Sequence, residues 1–160
     1  MRPEYSRFRS ATLRISRLSH GPQTKTRPSR AAGLPRLARV LVVDDNRDIV
    51  TTLTAFLRMD GYETCEAFDG FEALHALEDF KPDALIVDIA MPGMSGWEVA
   101  RAIRQRVSGR RPMLIAISGE YELAANKLWR EKGGFDYCLS KPCDPNVVLN
   151  LLHPLKSSRH

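Results

Sequence analysis

Val40-Leu41-Val42-Val43-Asp44-Asp45 opens with four consecutive apolar residues, three of them β-branched, and ends on two adjacent carboxylates. A run this short and unbroken predicts a strand covered on both faces. Downstream, Ile49, Val50, Leu53, Phe56 and Leu57 recur at helical spacing and stop at Asp60-Gly61, where glycine suits the residue after a helix end. The same rhythm then repeats. Glu63 to Ala67 alternates and reads as a second, less buried strand. Asp69-Gly70-Phe71-Glu72 opens a second helix, with Asp69 as cap and Glu72 three residues on. Ala84-Leu85-Ile86-Val87 is a third strand, and Ser95-Gly96-Trp97-Glu98 is a capping box for a third helix running to about Arg106. Met113 to Ile117, Tyr121 to about Lys132, and Tyr137-Cys138-Leu139 predict a strand, a helix and a short strand. Asp144-Pro145 opens a last helix, with Val147, Val148, Leu151, Leu152 and Leu155 on its inner side. Alternation of this kind predicts an α/β fold with a parallel sheet covered on both faces and right-handed crossovers.

The bulk numbers fit one such domain with extra sequence at one end. The chain has 160 residues, 43% apolar and 27% charged. Its apolar runs reach only four or five residues, as in Met113 to Ile117, far short of the ~18 a membrane span needs. No apolar leader marks a signal peptide. The net charge of +5 is unevenly spread. Residues 1–38 hold eight Arg and one Lys against Glu4 alone, whereas the rest holds 15 basic and 18 acidic side chains. The folded part is therefore mildly acidic, which weakens any case for nucleic-acid binding through its bulk charge. Cys65, Cys138 and Cys143 show no C-x-x-C spacing and read as structural thiols in a reducing cytoplasm.

Residues 1–37 are rich in Arg, Ser, Thr and Pro and predict a basic, disordered extension. Phe8, Ala11, Ile15 and Leu18 would share one helical face, so an organellar leader or a membrane-surface anchor stands beside a solvated tail or translated upstream sequence. A nucleic-acid or membrane binder acting through this extension is compatible with any reading of the domain.

The chemistry collects where strands end, which in an open α/β sheet is where ligands bind. Asp44 and Asp45 follow the first strand, Asp88 the third, Ser118 the fourth and Lys141 the fifth. Singly, each has an ordinary explanation: a helix cap for Asp-Asp, a turn before Pro92-Gly93 for Asp88, a cap for Ser118-Gly119, a solvated loop for Lys141-Pro142. Together they place three carboxylates, a hydroxyl and an ammonium on one rim. Crowded carboxylates raise one another's pKa, and a divalent cation with oxygen preference relieves that. A carboxylate beside such a cation can attack phosphorus to give an aspartyl-phosphate, with the ammonium and hydroxyl stabilising the transferring group.

Four segments carry a family resemblance: Val40 to Asp45, Leu85 to Gly96 (LIVDIAMPGMSG), Ile117-Ser118-Gly119 and Leu139-Ser140-Lys141-Pro142. Across roughly residues 38–156 the chain resembles the receiver domain of two-component response regulators, with 157–160 as a tail. The resemblance implies a flavodoxin-like sheet of order 2-1-3-4-5. It implies Asp88 as phosphoacceptor and Mg²⁺ held by Asp45, Asp44, Asp88 and the Ala90 carbonyl. Ser118 is implied as the switch hydroxyl and Lys141 as the ammonium, with a cis bond to Pro142. A sensor histidine kinase or histidine phosphotransfer protein is the implied donor, and turnover is limited to self-phosphorylation and self-dephosphorylation. The family often has an aromatic residue three positions before the lysine; here that position is Cys138, and Tyr137, one earlier, should face the other side. About four residues follow Leu155-Lys156, which predicts output through a separate partner with no fused output domain.

Rival readings fit less well. A degenerate receiver that only binds partners would draw on Cys138, but the five site residues are intact. A hydrolase lacks a G-x-S-x-G elbow around Ser118 and a His after any strand. Asp44-x-Asn46-x-Asp48 lacks the glycine and distal Glu of a Ca²⁺ loop, and no Gly-rich nucleotide loop is present.

Overall fold

A computed structural model describes residues 36–106, 109–119 and 134–157. Its elements are β1 (Arg39–Val43), α1 (Arg47–Met59), β2 (Glu63–Ala67), α2 (Gly70–Phe80), β3 (Ala84–Asp88), α3 (Gly96–Arg106), β4 (Met113–Ser118), β5 (Tyr137–Ser140) and a last described helix, α4 (Pro145–Ser157). The helix expected over Tyr121 to Lys132, the extension through residue 35 and the tail from 158 lie outside the described residues. All strand pairings are parallel and the sheet order is β2-β1-β3-β4-β5, the doubly wound, flavodoxin-like arrangement.

The unbroken apolar runs are strands buried on both faces, as β1 and β3 show. Alternate residues feed two cores. Val40, Val42, Ile86 and Ile115 pack beneath Val50, Leu53 and Leu57 of α1 and Val148 and Leu152 of α4. Leu41, Val43, Leu85 and Leu114 pack on the other side, with Leu74 and Leu77 of α2 and Val99 and Ile103 of α3. β2 lies at the sheet edge and is only partly buried, as its alternating pattern predicted. Ala38 is 3% exposed and joins the core, while Leu37 before it is exposed.

Local signals account for the helix ends. Ser95 and Glu98 form a reciprocal box: the Glu98 N–H donates to Ser95 Oγ at 3.4 Å, and the Ser95 N–H donates to Glu98 Oε2 at 2.9 Å. Those Ser95 bonds hold the Glu98 carboxyl below its ordinary pKa. Asp69 caps α2 through the Glu72 N–H at 2.8 Å, while Glu72 reaches one residue further back, to the Phe68 N–H. Gly61 takes φ +82° just past α1, a conformation glycine adopts without a Cβ penalty.

Two expected inward residues face out: Ile49 is 39% and Val147 41% exposed. Both occupy the first turn of a 13-residue helix. Such a helix is about 20 Å long and a five-residue strand about 17 Å, so a first turn can overhang the sheet.

At the amino end of the sheet, Lys156 of α4 bonds Asp60 and stacks its ammonium 4.3 Å from the centre of the Tyr62 ring. The buried Tyr62 hydroxyl has no hydrogen-bond partner among the described residues. Burial, with help from Asp60, pushes its pKa from 10.0 up to about 12. The folded chain thus holds this proton where the unfolded chain has released it, and stability should fall as pH rises from 10.0 to about 12. Tyr62→Phe keeps the ring under Lys156 and removes the unpaired hydroxyl. Urea titrations should show a gain of about 1 kcal/mol near neutral pH, and a shallower decline above pH 10.0 than in wild type.

Gly96 is required by close approach. A Cβ there would meet the Asp88 carbonyl oxygen and lie 2.9 Å from Ile89 Cα, both backbone atoms that cannot swing aside. Gly96→Ala should therefore destabilise the fold by about 1–3 kcal/mol in denaturant titrations, as overpacking does.

Candidate functional site

At the carboxyl edge of the sheet the structure gathers most of the residues expected from sequence. Asp88 is the last residue of β3 and Ser118 the last of β4, each one residue inside the strand where the sequence placed it just beyond. Asp88 pairs in register with Ile117, so Ser118 is one step further along the neighbouring strand. Ser118 in turn pairs with Ser140 and accepts the Lys141 N–H at its carbonyl, 2.7 Å away. That contact fixes the chain where Lys141 leaves β5. The Lys141-Pro142 bond is cis, as the resemblance implied.

Lys141 Nζ reaches back across the edge and lies 2.9 Å from Asp44 Oδ2 and 2.9 Å from Asp88 Oδ1. Asp44 and Asp88 are each 4% exposed, while Asp45 is open to solvent. One carboxylate oxygen from each of Asp44, Asp45 and Asp88 lies within 4.8 Å of the others. Asp44 also accepts the Asn46 N–H at 2.9 Å through its other oxygen.

The ordinary explanation for Asp44-Asp45, a helix cap, is taken by another residue. Asn46 caps α1, its side-chain oxygen accepting the N–H groups of Asp48 and Ile49. Sequence reading missed this, although Asn is among the best capping residues and the helical pattern starts just after it. The cap leaves both acids at the sheet edge for other work.

The electrostatics follow from the geometry. Burial raises the Asp88 pKa; bonds from Lys141 and the Ala90 N–H oppose the rise, and the nearby Asp44 adds to it. Burial works against the Lys141 ammonium, but its bonds to Asp44 and Asp88 outweigh that and raise its pKa. The two directions are compatible: Asp88 is more deeply buried than the lysine and pays more desolvation. Ala90, two residues past Asp88, is exposed beside the cluster.

Three carboxylate oxygens are hard donors suited to Mg²⁺. Octahedral bonds of about 2.1 Å set ligand oxygens roughly 3–4.2 Å apart, so the cluster needs only a small inward adjustment to hold the ion.

Cys138 is half-buried against the α2–α3 core, and Leu139 packs on the opposite one. Tyr137 is 40% exposed, so it leaves the inward space to the cysteine, as strand alternation predicted. Burial raises the pKa of Cys138, Cys65 and Cys143 alike, which keeps them as thiols and fits structural roles. At the rim, Arg47, the first residue of α1, stacks 4.0 Å over the ring of Phe68 in the loop after β2, a contact that the sequence did not advertise.

A doubly wound parallel sheet with an acidic cluster and a lysine at its carboxyl edge defines the class: an α/β signalling domain of receiver type. Residues 40–153 match the family described as response regulator receiver domain, and the chain belongs to that family. It is a receiver domain of two-component signalling. Among its relatives, protein PilH of Pseudomonas aeruginosa is 29% identical over 118 residues, covering 73% of this chain and 96% of PilH. DNA-binding response regulator MtrA of Mycobacterium tuberculosis is 36% identical over 111 residues, covering 69% of this chain but 47% of MtrA. The chain thus spans about half the length of the MtrA relatives it matches. Among solved structures, chemotaxis response regulator CheY4 of Vibrio cholerae superposes with a TM-score of 0.67 at 30% identity, covering 74% of this chain and 98% of that one. Receiver domains interact with histidine kinases and phosphotransfer proteins, and the family is generally a signalling one. Among the described residues no helix is long and apolar enough to cross a membrane.

Proposed function

We propose that Asp88 accepts a phosphoryl group from a phosphohistidine on a sensor histidine kinase or phosphotransfer protein, in the cytoplasm. The observation that carries this reading is the bridge of Lys141 Nζ, 2.9 Å from both Asp44 and Asp88. An ammonium held there faces a nucleophilic carboxylate and an acidic pocket at once. Asp44, Asp45, Asp88 and the Ala90 carbonyl would hold Mg²⁺. When bound, the ion supplies positive charge to the carboxylates and to a phosphoryl oxygen.

In the transfer, an Asp88 carboxylate oxygen forms the new O–P bond as the P–N bond of the donor breaks, and the histidine leaves with its electron pair and takes up a proton. Lys141 then moves its charge from the free carboxylate to the phosphoryl oxygens, and the Ser118 hydroxyl donates to another of them. Asp88 is therefore the acceptor, with Lys141 and Ser118 as stabilisers. Hydrolysis of the acyl phosphate returns the domain to its starting state, so turnover is confined to its own phosphorylation and dephosphorylation. Drawing Ser118 toward the phosphoryl group biases a two-state equilibrium at the β4–β5 edge and hence partner binding. Cys138 fills the position where many receivers carry an aromatic, so its inward movement displaces little volume.

Incubation with acetyl phosphate and Mg²⁺ should add one phosphoryl mass to the intact chain, and EDTA should prevent the gain. A chain that gains no mass under either condition would be a receiver that only binds partners.

A further inference from the structure

A groove of about 650 Å³ opens at the amino ends of β3, β4 and β5, on the edge opposite Asp88. Its volume falls within the range of about 300–1,000 Å³ typical of small-molecule sites. Asp83, Arg104, Arg110, Arg111, Asp136 and Tyr137 supply its polar lining, and Pro112, Met113, Phe135 and Leu155 much of the remainder.

The charged groups divide into spent and unspent. Arg104 is spent: its guanidinium donates to the Gly134 carbonyl at 2.7 Å, the Pro112 carbonyl at 3.0 Å and Asp136 Oδ2 at 2.8 Å. Both acids are also engaged. Asp136 takes Arg104 and the Leu114 N–H, and Asp83 takes the Arg39 N–H at 2.8 Å and the Arg36 guanidinium at 3.3 Å. Arg110 and Arg111 are different. Both are exposed, and neither bonds or ion-pairs with any described residue. The groove therefore carries two uncommitted guanidiniums beside carboxylates already neutralised by inward donors. Tyr137, 40% exposed, adds a flat aromatic face at the start of β5.

We propose that this groove binds a nucleotide, with phosphate oxygens on Arg110 and Arg111 and the base against Tyr137 and Leu155. Adjacent guanidiniums offer forked donors that match phosphate oxygens, and an amphipathic aromatic ring suits a planar base. A phosphate alone would leave the apolar lining unused, and a nucleoside alone would leave the guanidiniums unpaired. The position is separated from the carboxylate cluster by the length of the strands, about 17 Å, so the two sites can be occupied together.

Calorimetric titration of the full chain in EDTA buffer, with ATP, GTP and inorganic triphosphate, tests this. At least one nucleotide should bind, and triphosphate should bind about tenfold more weakly or worse. The double variant Arg110→Ala, Arg111→Ala should weaken nucleotide binding about tenfold or more. Tyr137→Ala should weaken it too, and Asp88→Ala should leave it unchanged. All three altered groove residues are exposed, and circular dichroism verifies that the variants fold. Absence of binding at millimolar nucleotide overturns the proposal. So does equal affinity in the double variant, which would assign binding to the arginines of residues 1–35, and so does triphosphate binding as tightly as the nucleotides.

Discussion

Asp88→Ala should gain no phosphoryl mass from acetyl phosphate and Mg²⁺ under conditions where the wild-type chain gains one. The expected loss is complete because no other group is equipped to take over. Asp44 is buried and already bonded to both Lys141 and the Asn46 N–H, and Asp45 is exposed without a described cation beside it. The loss should also be chemical in origin. Burial raises the Asp88 pKa, so its ionised form costs the fold stability, a penalty that is absent at low pH, builds as pH rises above the ordinary value of 3.8 and is complete once the folded-state value is passed. Alanine removes that penalty and leaves the Lys141–Asp44 pair at 2.9 Å in place. The circular dichroism of the variant should therefore match wild type while the phosphoryl gain disappears.

Lys141→Ala should slow phosphoryl incorporation by about 100-fold or more, the scale set by removing one preorganised donor from a transferring group. In the proposed transfer the lysine acts twice. It offsets the repulsion between two carboxylates that are each 4% exposed, and it later meets the phosphoryl oxygens. Without it, the influences left on Asp88 are burial and Asp44, both of which favour the protonated, non-nucleophilic form; the Ala90 N–H is the remaining opposing bond. Raising Mg²⁺ should recover part of the rate, because the ion can neutralise the carboxylates but cannot replace a donor at the far side of the phosphoryl group. A time course of mass gain across a Mg²⁺ series checks both statements. Full recovery would mean that the lysine serves only to hold the carboxylates apart from one another's charge.

Much of this architecture is legible in local sequence because local physics decides it. Runs such as Val40 to Val43 and Ala84 to Val87 lack the alternation of a half-exposed strand, and both are buried on each face. Ser95 and Glu98 satisfy each other's backbone over three residues, so their box can be read without the rest of the fold. What could not be read locally depends on partners distant in the chain. The sheet order came from family resemblance, since alternation fixes parallelism but not which strands are neighbours. Lys141 and Asp44 are separated by 97 positions, and sequence places both on one rim without saying that a single ammonium spans both acids. Thr54 is fully buried because Glu66 of β2, twelve positions on, accepts its hydroxyl at 2.7 Å, a pairing that no local pattern announces. Ile49 and Val147 fit an inward helical stripe, yet a stripe records periodicity and not where the underlying sheet stops. Arg110 and Arg111 likewise look like loop charges until the groove beside them is visible.

The central claim is that one carboxylate at the end of β3 makes the bond to phosphorus, and the most direct measurement locates that bond. The chain is phosphorylated with acetyl phosphate and Mg²⁺, reduced with borohydride, digested and sequenced by mass spectrometry. Reduction converts an aspartyl phosphate to homoserine, so position 88 should read as homoserine, and only in the phosphorylated sample. Homoserine at position 44 or 45, or an intact phosphate ester on Ser118, would contradict the account.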